Sequence, residues 1–136
     1  MTSSKTKFCV TISLLLSFFS CKAQVAQIQR NELQNILLDQ QLHKIETQEI
    51  TLPKAQETPK HFHPCPVIGI IISGEIIFEI AGQEPKILKF GETFYEPKNT
   101  FILKFNNNSK TSEARFIAIY LKAHEEKSIE FSKITK

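Results

Sequence analysis

From Ile45 onward the chain alternates between apolar and polar positions in short bursts separated by Gly, Pro and Asn. Side chains in a strand point to opposite faces in turn, so this period of two predicts half-buried β-strands. The clearest case is Glu75 to Ile80, where Ile76, Phe78 and Ile80 share one face and Glu75 and Glu79 do not. Further strands are predicted over Ile45 to Leu52, Val67 to Ile72, Lys86 to Phe90, Thr93 to Glu96, Phe101 to Phe105, Ala114 to Leu121 and Ser128 to Ile134. Ala114 to Leu121 is apolar on both faces, as in a strand covered from both sides. Ser73-Gly74 reads as a tight turn joining its two flanking strands in a hairpin, Ala81 to Pro85 as the next turn, and Asn106 to Ser109 as another, because Asn tolerates left-handed backbone. Such a series of short strands predicts an antiparallel sandwich or barrel.

Before the strands the period changes. Ile28, Leu33, Ile36, Leu37 and Leu42 recur at near-helical spacing between Val25 and His43, with no Gly or Pro, which predicts a helix packing one sticky face on the outside or rim of the barrel. The first residues differ again. Lys5 and Lys7 precede a short apolar run, Phe8 to Phe19, and then Ser20, Cys21 and Ala23, the layout of a signal peptide. The run is shorter than the about 20 residues that a bilayer span needs. Two processing readings stand: cleavage after Ala23, releasing the domain, or a lipoprotein box ending at Cys21, which would then carry a lipid anchor and be the only membrane contact. Either way the expected organisation is a signal peptide over 1–23, a helical segment over 24–43 and a β-barrel over 44–136, exported to the periplasm or beyond.

Composition narrows the partners. In 136 residues, 41% of them hydrophobic and eleven of them Phe, there is material for one core. The formal charge of +3 rests on Lys5, Lys7 and Lys22, and falls to zero once 1–23 is removed. A nucleic-acid partner needs a basic patch and finds none here. Of the three cysteines only Cys65 lies beyond the signal region, so no internal disulfide is expected. No Gly-rich phosphate loop and no nucleophile elbow are present.

The candidate chemistry sits at His61-Phe62-His63-Pro64-Cys65-Pro66. In extended chain His61 and His63 point the same way, placing two imidazoles on one wall. Three readings of the pair stand: metal ligation, polar recognition of a small molecule, or a structural hydrogen-bonded pair. Cys65, two residues further on, would join the same wall in a strand, but the flanking prolines favour a threefold period that turns it away. Glu96 and Tyr95 can also reach a cavity between sheets. His43 and His124 read as surface residues.

His61-x-His63 followed by Gly74, and then Gly91-Glu92-Thr93-Phe94-Tyr95-Glu96-Pro97, resembles the two short motifs of the cupin family, over roughly residues 45 to 121. Gly74, Gly91, Pro97 and Asn106 fall on the motif frame. Val67 stands where the family has its glutamate, Asn99 where it has a glycine, and Ile102 where it has a third histidine. The resemblance implies an all-β, antiparallel jelly-roll barrel (a double-stranded β-helix), with a cavity lined by His61, His63, Ile70, Ile72, Phe78, Phe94, Phe101 and Ile102. It implies a divalent transition metal at His61 and His63, with Cys65 and Glu96 as lesser candidates to complete the set. Because Val67 and Ile102 remove two ligands, the expectation is an exported protein that binds a small ligand, a metal weakly, or both. The alternatives are a metal-dependent oxygenase or isomerase, and a structural subunit of a homodimer.

Overall fold

In the computed structural model, which describes residues 27–132, the alternation resolves into nine strands. They are β1 (Lys44–Leu52), β2 (His61–Phe62), β3 (Val67–Ser73), β4 (Ile76–Ile80), β5 (Lys86–Leu88), β6 (Thr93–Glu96), β7 (Ile102–Asn107), β8 (Ala114–Lys122) and β9 (Glu130–Phe131). Two sheets form, in the orders β1-β8-β3-β6 and β5-β4-β7-β2-β9, and every pairing is antiparallel. This is the double-stranded β-helix arrangement. The expected signal segment, with Cys21 and Ala23, lies outside the described residues.

The unit from Asn31 onward is held by its aromatic core. Phe94 and Phe105 meet at 5.0 Å between ring centroids, Phe105 and Phe116 at 4.7 Å, and Phe78 and Phe105 at 5.6 Å, all in edge or tilted contact. Each buried ring contributes about 1.5–3 kcal/mol, and each such edge pair ~0.5–1.5 kcal/mol more. Gly69 makes the packing feasible. A Cβ there would lie 2.3 Å from Phe94 Cζ and 2.3 Å from the Ile117 carbonyl oxygen, so only glycine leaves room for the ring.

Three expectations are corrected. No helix forms over the described part of 24–43, nor anywhere among the described residues. Leu33 is 63% exposed and Leu37 95%, because the inner sheet faces already cover each other and offer the apolar stripe no surface. Without that burial a helix of this length is marginal in water. From Asn31 the segment instead runs irregularly along the sheet, anchored where Gln40 Nε2 donates to the Leu121 carbonyl at 2.9 Å and His43 N donates to the Lys122 carbonyl at 2.8 Å.

Ser73-Gly74 does not close a hairpin, since β3 and β4 belong to different sheets. A register shift between Ile71 and Ser73, followed by Gly74 at φ 75°, turns the chain from one sheet to the other. The third difference is one of phase. In β3 the inward positions are Val67, Gly69 and Ile71, so Ile70 and Ile72 lie on the outer face and are half-buried.

Candidate metal centre

His61 and His63 flank Phe62 at the short β2 strand, which pairs with β7 at His61↔Ile102 and with β9 at His61↔Phe131. Proline sets its limits. Pro59 leads in and Pro64 and Pro66 follow, and a residue without an N–H cannot continue the ladder. Both imidazoles face inward and are buried, at 5% and 4% exposure. Their rings meet edge to face at 5.1 Å.

Each ring is oriented by a carbonyl. His61 Nδ1 donates to the Pro59 carbonyl at 2.8 Å, and His63 Nδ1 donates to the Ser128 carbonyl just before β9. A carbonyl oxygen can only accept, so both Nδ1 atoms carry hydrogen. In the neutral ring this leaves the Nε2 lone pair for a metal, which is how metal-binding histidines are ordinarily fixed.

Glu96 completes the set. It ends β6, 3% exposed, and its Oε2 lies 2.9 Å from His63 Nε2. One donor atom from each of His61, His63 and Glu96 falls within 4.8 Å of the others. Two imidazoles and one carboxylate converging in a buried site form a facial set that suits a divalent first-row metal and leaves positions open for a ligand. The residues present therefore fit the metal that the resemblance implied.

The electrostatics of the two rings differ. Burial pushes His61 below its ordinary value, with the Pro59 carbonyl and Glu96 only partly offsetting it, so this ring is neutral at neutral pH. Burial acts on His63 in the same sense, but the Glu96 hydrogen bond and charge, together with the Ser128 carbonyl, outweigh it and hold His63 above its ordinary value. His63 Nε2 and Glu96 Oε2 thus stand within hydrogen-bond distance of each other, at 2.9 Å. Tyr120, whose ring lies 5.7 Å from that of His63, is pushed up to about 12, first by burial and then by Glu96 and Glu46, and so stays a neutral phenol.

The three donors line a cavity of about 370 Å³ between the sheets. Ile50, Leu52, Val67, Phe94, Phe105, Phe116, Ala118 and Tyr120 form its walls, and exposed Glu57, Ile129 and Phe131 stand at its mouth. Of the residues expected to line a cavity, His61, His63 and Phe94 do so. Phe78 and Ile102 pack in the core outside it, Phe101 stacks on Phe62 at 5.5 Å, and Ile70 and Ile72 lie on the outer face. Cys65 is a buried thiol away from the donors, its pKa raised by burial and next by Glu126. His43 and His124 are exposed.

Sequence reasoning missed Ile50, Leu52, Phe105, Phe116, Ala118 and Tyr120 as cavity wall. The alternation of Phe116, Ala118 and Tyr120 carried that signal. It also underweighted Glu96, although strand alternation puts Glu96 on whatever face Phe94 occupies.

A cupin-domain family profile matches residues 48–120. The chain belongs to the cupin family. This cupin is 36% identical over 69 residues to an uncharacterized protein of Methanocaldococcus jannaschii, covering 51% of this chain and 60% of that one. Among solved structures it is similar to an RmlC-like cupin family protein with a double-stranded β-helix fold from the same organism, at 28% identity and TM-score 0.53, over 74% of this chain and 91% of that one. It is also similar to oxalate oxidase in complex with the substrate analogue glycolate, at 23% identity and TM-score 0.57, over 67% of this chain and 47% of the oxidase. The cupin spans 60% of the curated relative and about half of the oxidase, and at 23% identity the latter likeness is one of fold.

Proposed function

We propose that this protein is an exported, metal-dependent cupin enzyme of the oxygenase or isomerase type, with His61, His63 and Glu96 as the ligands of a divalent transition metal. The observation that carries the reading is the pair of Nδ1–H···O bonds donated to the Pro59 and Ser128 carbonyls, which leave two Nε2 atoms beside a buried carboxylate inside a cavity large enough for a small molecule. A merely structural histidine pair has no need of that convergence. The fold shared with oxalate oxidase supports an enzymatic reading over a purely binding one, and the basic, apolar, then small N-terminal pattern supports export.

A bound metal would supply Lewis acidity and sites for an oxygen atom of the substrate. The chain's own residues do the rest. His61 and His63 stay oriented through their carbonyl partners, Glu96 lowers the net charge of the site, and the aromatic wall gives the ligand's apolar body a surface to pack on. Elemental analysis of the purified protein tests the proposal: one equivalent of Fe, Mn, Ni, Cu or Zn is expected, lost in His61→Ala/His63→Ala and in Glu96→Ala. A folded wild type that takes up no metal when offered each of these ions would overturn it.

A further inference from the structure

We infer, resting on the metal centre proposed above, that the cavity selects a small molecule with one oxygen head, an apolar and preferably aromatic body, and at most one negative charge. The selection rests on a charge count in a cavity whose inner walls are apolar and whose mouth is open. A divalent cation beside one carboxylate and two neutral imidazoles carries a single net positive charge. Among the residues that line the cavity there is no Lys or Arg, while Glu57 adds a second carboxylate at the mouth. The nearby cation, Lys122, is held outside the lining by Glu46 Oε2 and Ser128 Oγ, each at 2.9 Å.

A monoanionic or neutral head therefore leaves the loaded site neutral or singly positive. A dianion such as a dicarboxylate or a phosphate ester would leave an uncompensated negative charge against Phe94, Phe105 and Phe116, with no Lys or Arg in the lining to receive it, and burying an unpaired charge is costly. The walls favour the same class of ligand. Three mutually contacting phenyl rings with Ile50 and Leu52 present edges and faces suited to another ring. The volume, equal to that of about a dozen waters, holds one ring with substituents rather than a nucleotide.

The test uses three single-ring probes of rising charge, p-cresol, benzoate and phthalate, titrated calorimetrically into the full-length protein with and without one equivalent of Mn(II). On the Mn(II)-loaded protein, cresol and benzoate are expected to bind at least about tenfold tighter than phthalate, the least that one unpaired buried charge should cost. On the metal-free protein cresol binding is expected to persist and benzoate binding to weaken. Glu57→Lys, exposed and outside the metal ligands, is expected to narrow the gap to phthalate severalfold. Phthalate binding as tightly as benzoate would overturn the inference, and an unchanged gap in Glu57→Lys would remove Glu57 from the barrier. Failure to take up Mn(II) would count against the metal centre alone, because cresol over phthalate on the metal-free protein still reads the cavity's preference.

Discussion

Val67 and Glu96 are direct partners across the β3–β6 ladder. The position where the cupin motif has its glutamate is apolar in this chain, and the carboxylate enters the same space from the neighbouring strand. Opposed residues have Cβ atoms about 4.5–5.5 Å apart, within reach of one Glu side chain. Two sequence positions can thus serve one ligand site.

That relationship predicts a relocation. Glu96→Val should weaken metal binding by more than the ~10–100-fold that loss of an outer-sphere partner costs. The double variant Val67→Glu/Glu96→Val should recover most of it, read by competition with a chromogenic chelator. Recovery no better than the single variant would mean that the two positions are not interchangeable.

Metal uptake should release a proton. His63, held above its ordinary value of 6.5, keeps its proton until the pH exceeds its folded pKa, and a metal must displace it. For the metal-free protein the sign is that of a raised pKa: the stabilisation from His63 is full below 6.5 and is lost as the pH rises through the folded value. Metal affinity runs the other way, strengthening across that window. Calorimetry in two buffers of different ionisation enthalpy should show proton release near the lower edge of the window and none well above it. His61, already neutral there, should contribute nothing.

Acid should loosen the segment that holds His63. Glu46 accepts from Lys122 Nζ and from Ser128 Oγ, each at 2.9 Å, and these bonds bring it from 4.5 to about 2. A depressed carboxyl pKa gives stability that is present above 4.5 and is lost as the pH falls toward about 2. Acid unfolding of wild type and Glu46→Gln, followed by circular dichroism, should therefore converge toward pH 2 and diverge above 4.5, with the variant the less stable. Parallel curves over the whole range would show that Glu46 has no part in it.

Gly69→Ala should be costly for its size. The added methyl meets Phe94 and the Ile117 carbonyl, and the backbone oxygen cannot swing aside. A loss of about 1–3 kcal/mol or more is expected from urea unfolding, in the range of overpacked cores. The shifted Phe94 ring should also weaken cresol binding.

The strands themselves were largely legible from their β-forming runs and turn residues, and in β4 and β6 alternation also reports which face is covered. Phase was not legible in β3, where Val67, Ile68, Ile70, Ile71 and Ile72 are apolar on both faces and only the inward Gly69, read through its contact with Phe94, decides it. Two imidazoles on one wall followed from local geometry. The third donor, Glu96, stood only as a lesser candidate, because β3–β6 register links residues far apart in sequence, and a motif written along one strand has no place for a ligand from the next. The missing helix failed for a related reason: periodicity in Ile28 to Leu42 states what a helix would bury, not whether the rest of the molecule leaves anything to bury it against.

His63 takes its orientation from a carbonyl 65 residues further along, at Ser128. A nascent chain that has passed Glu96 but not Ser128 holds both imidazoles and the carboxylate, yet lacks the acceptor that sets one ring's tautomer. On the proposed metal centre, capture is expected to wait until the closing strand has docked. In an exported chain that moment comes after translocation, so the ion would be chosen from the pool at the destination rather than from that of the cytoplasm.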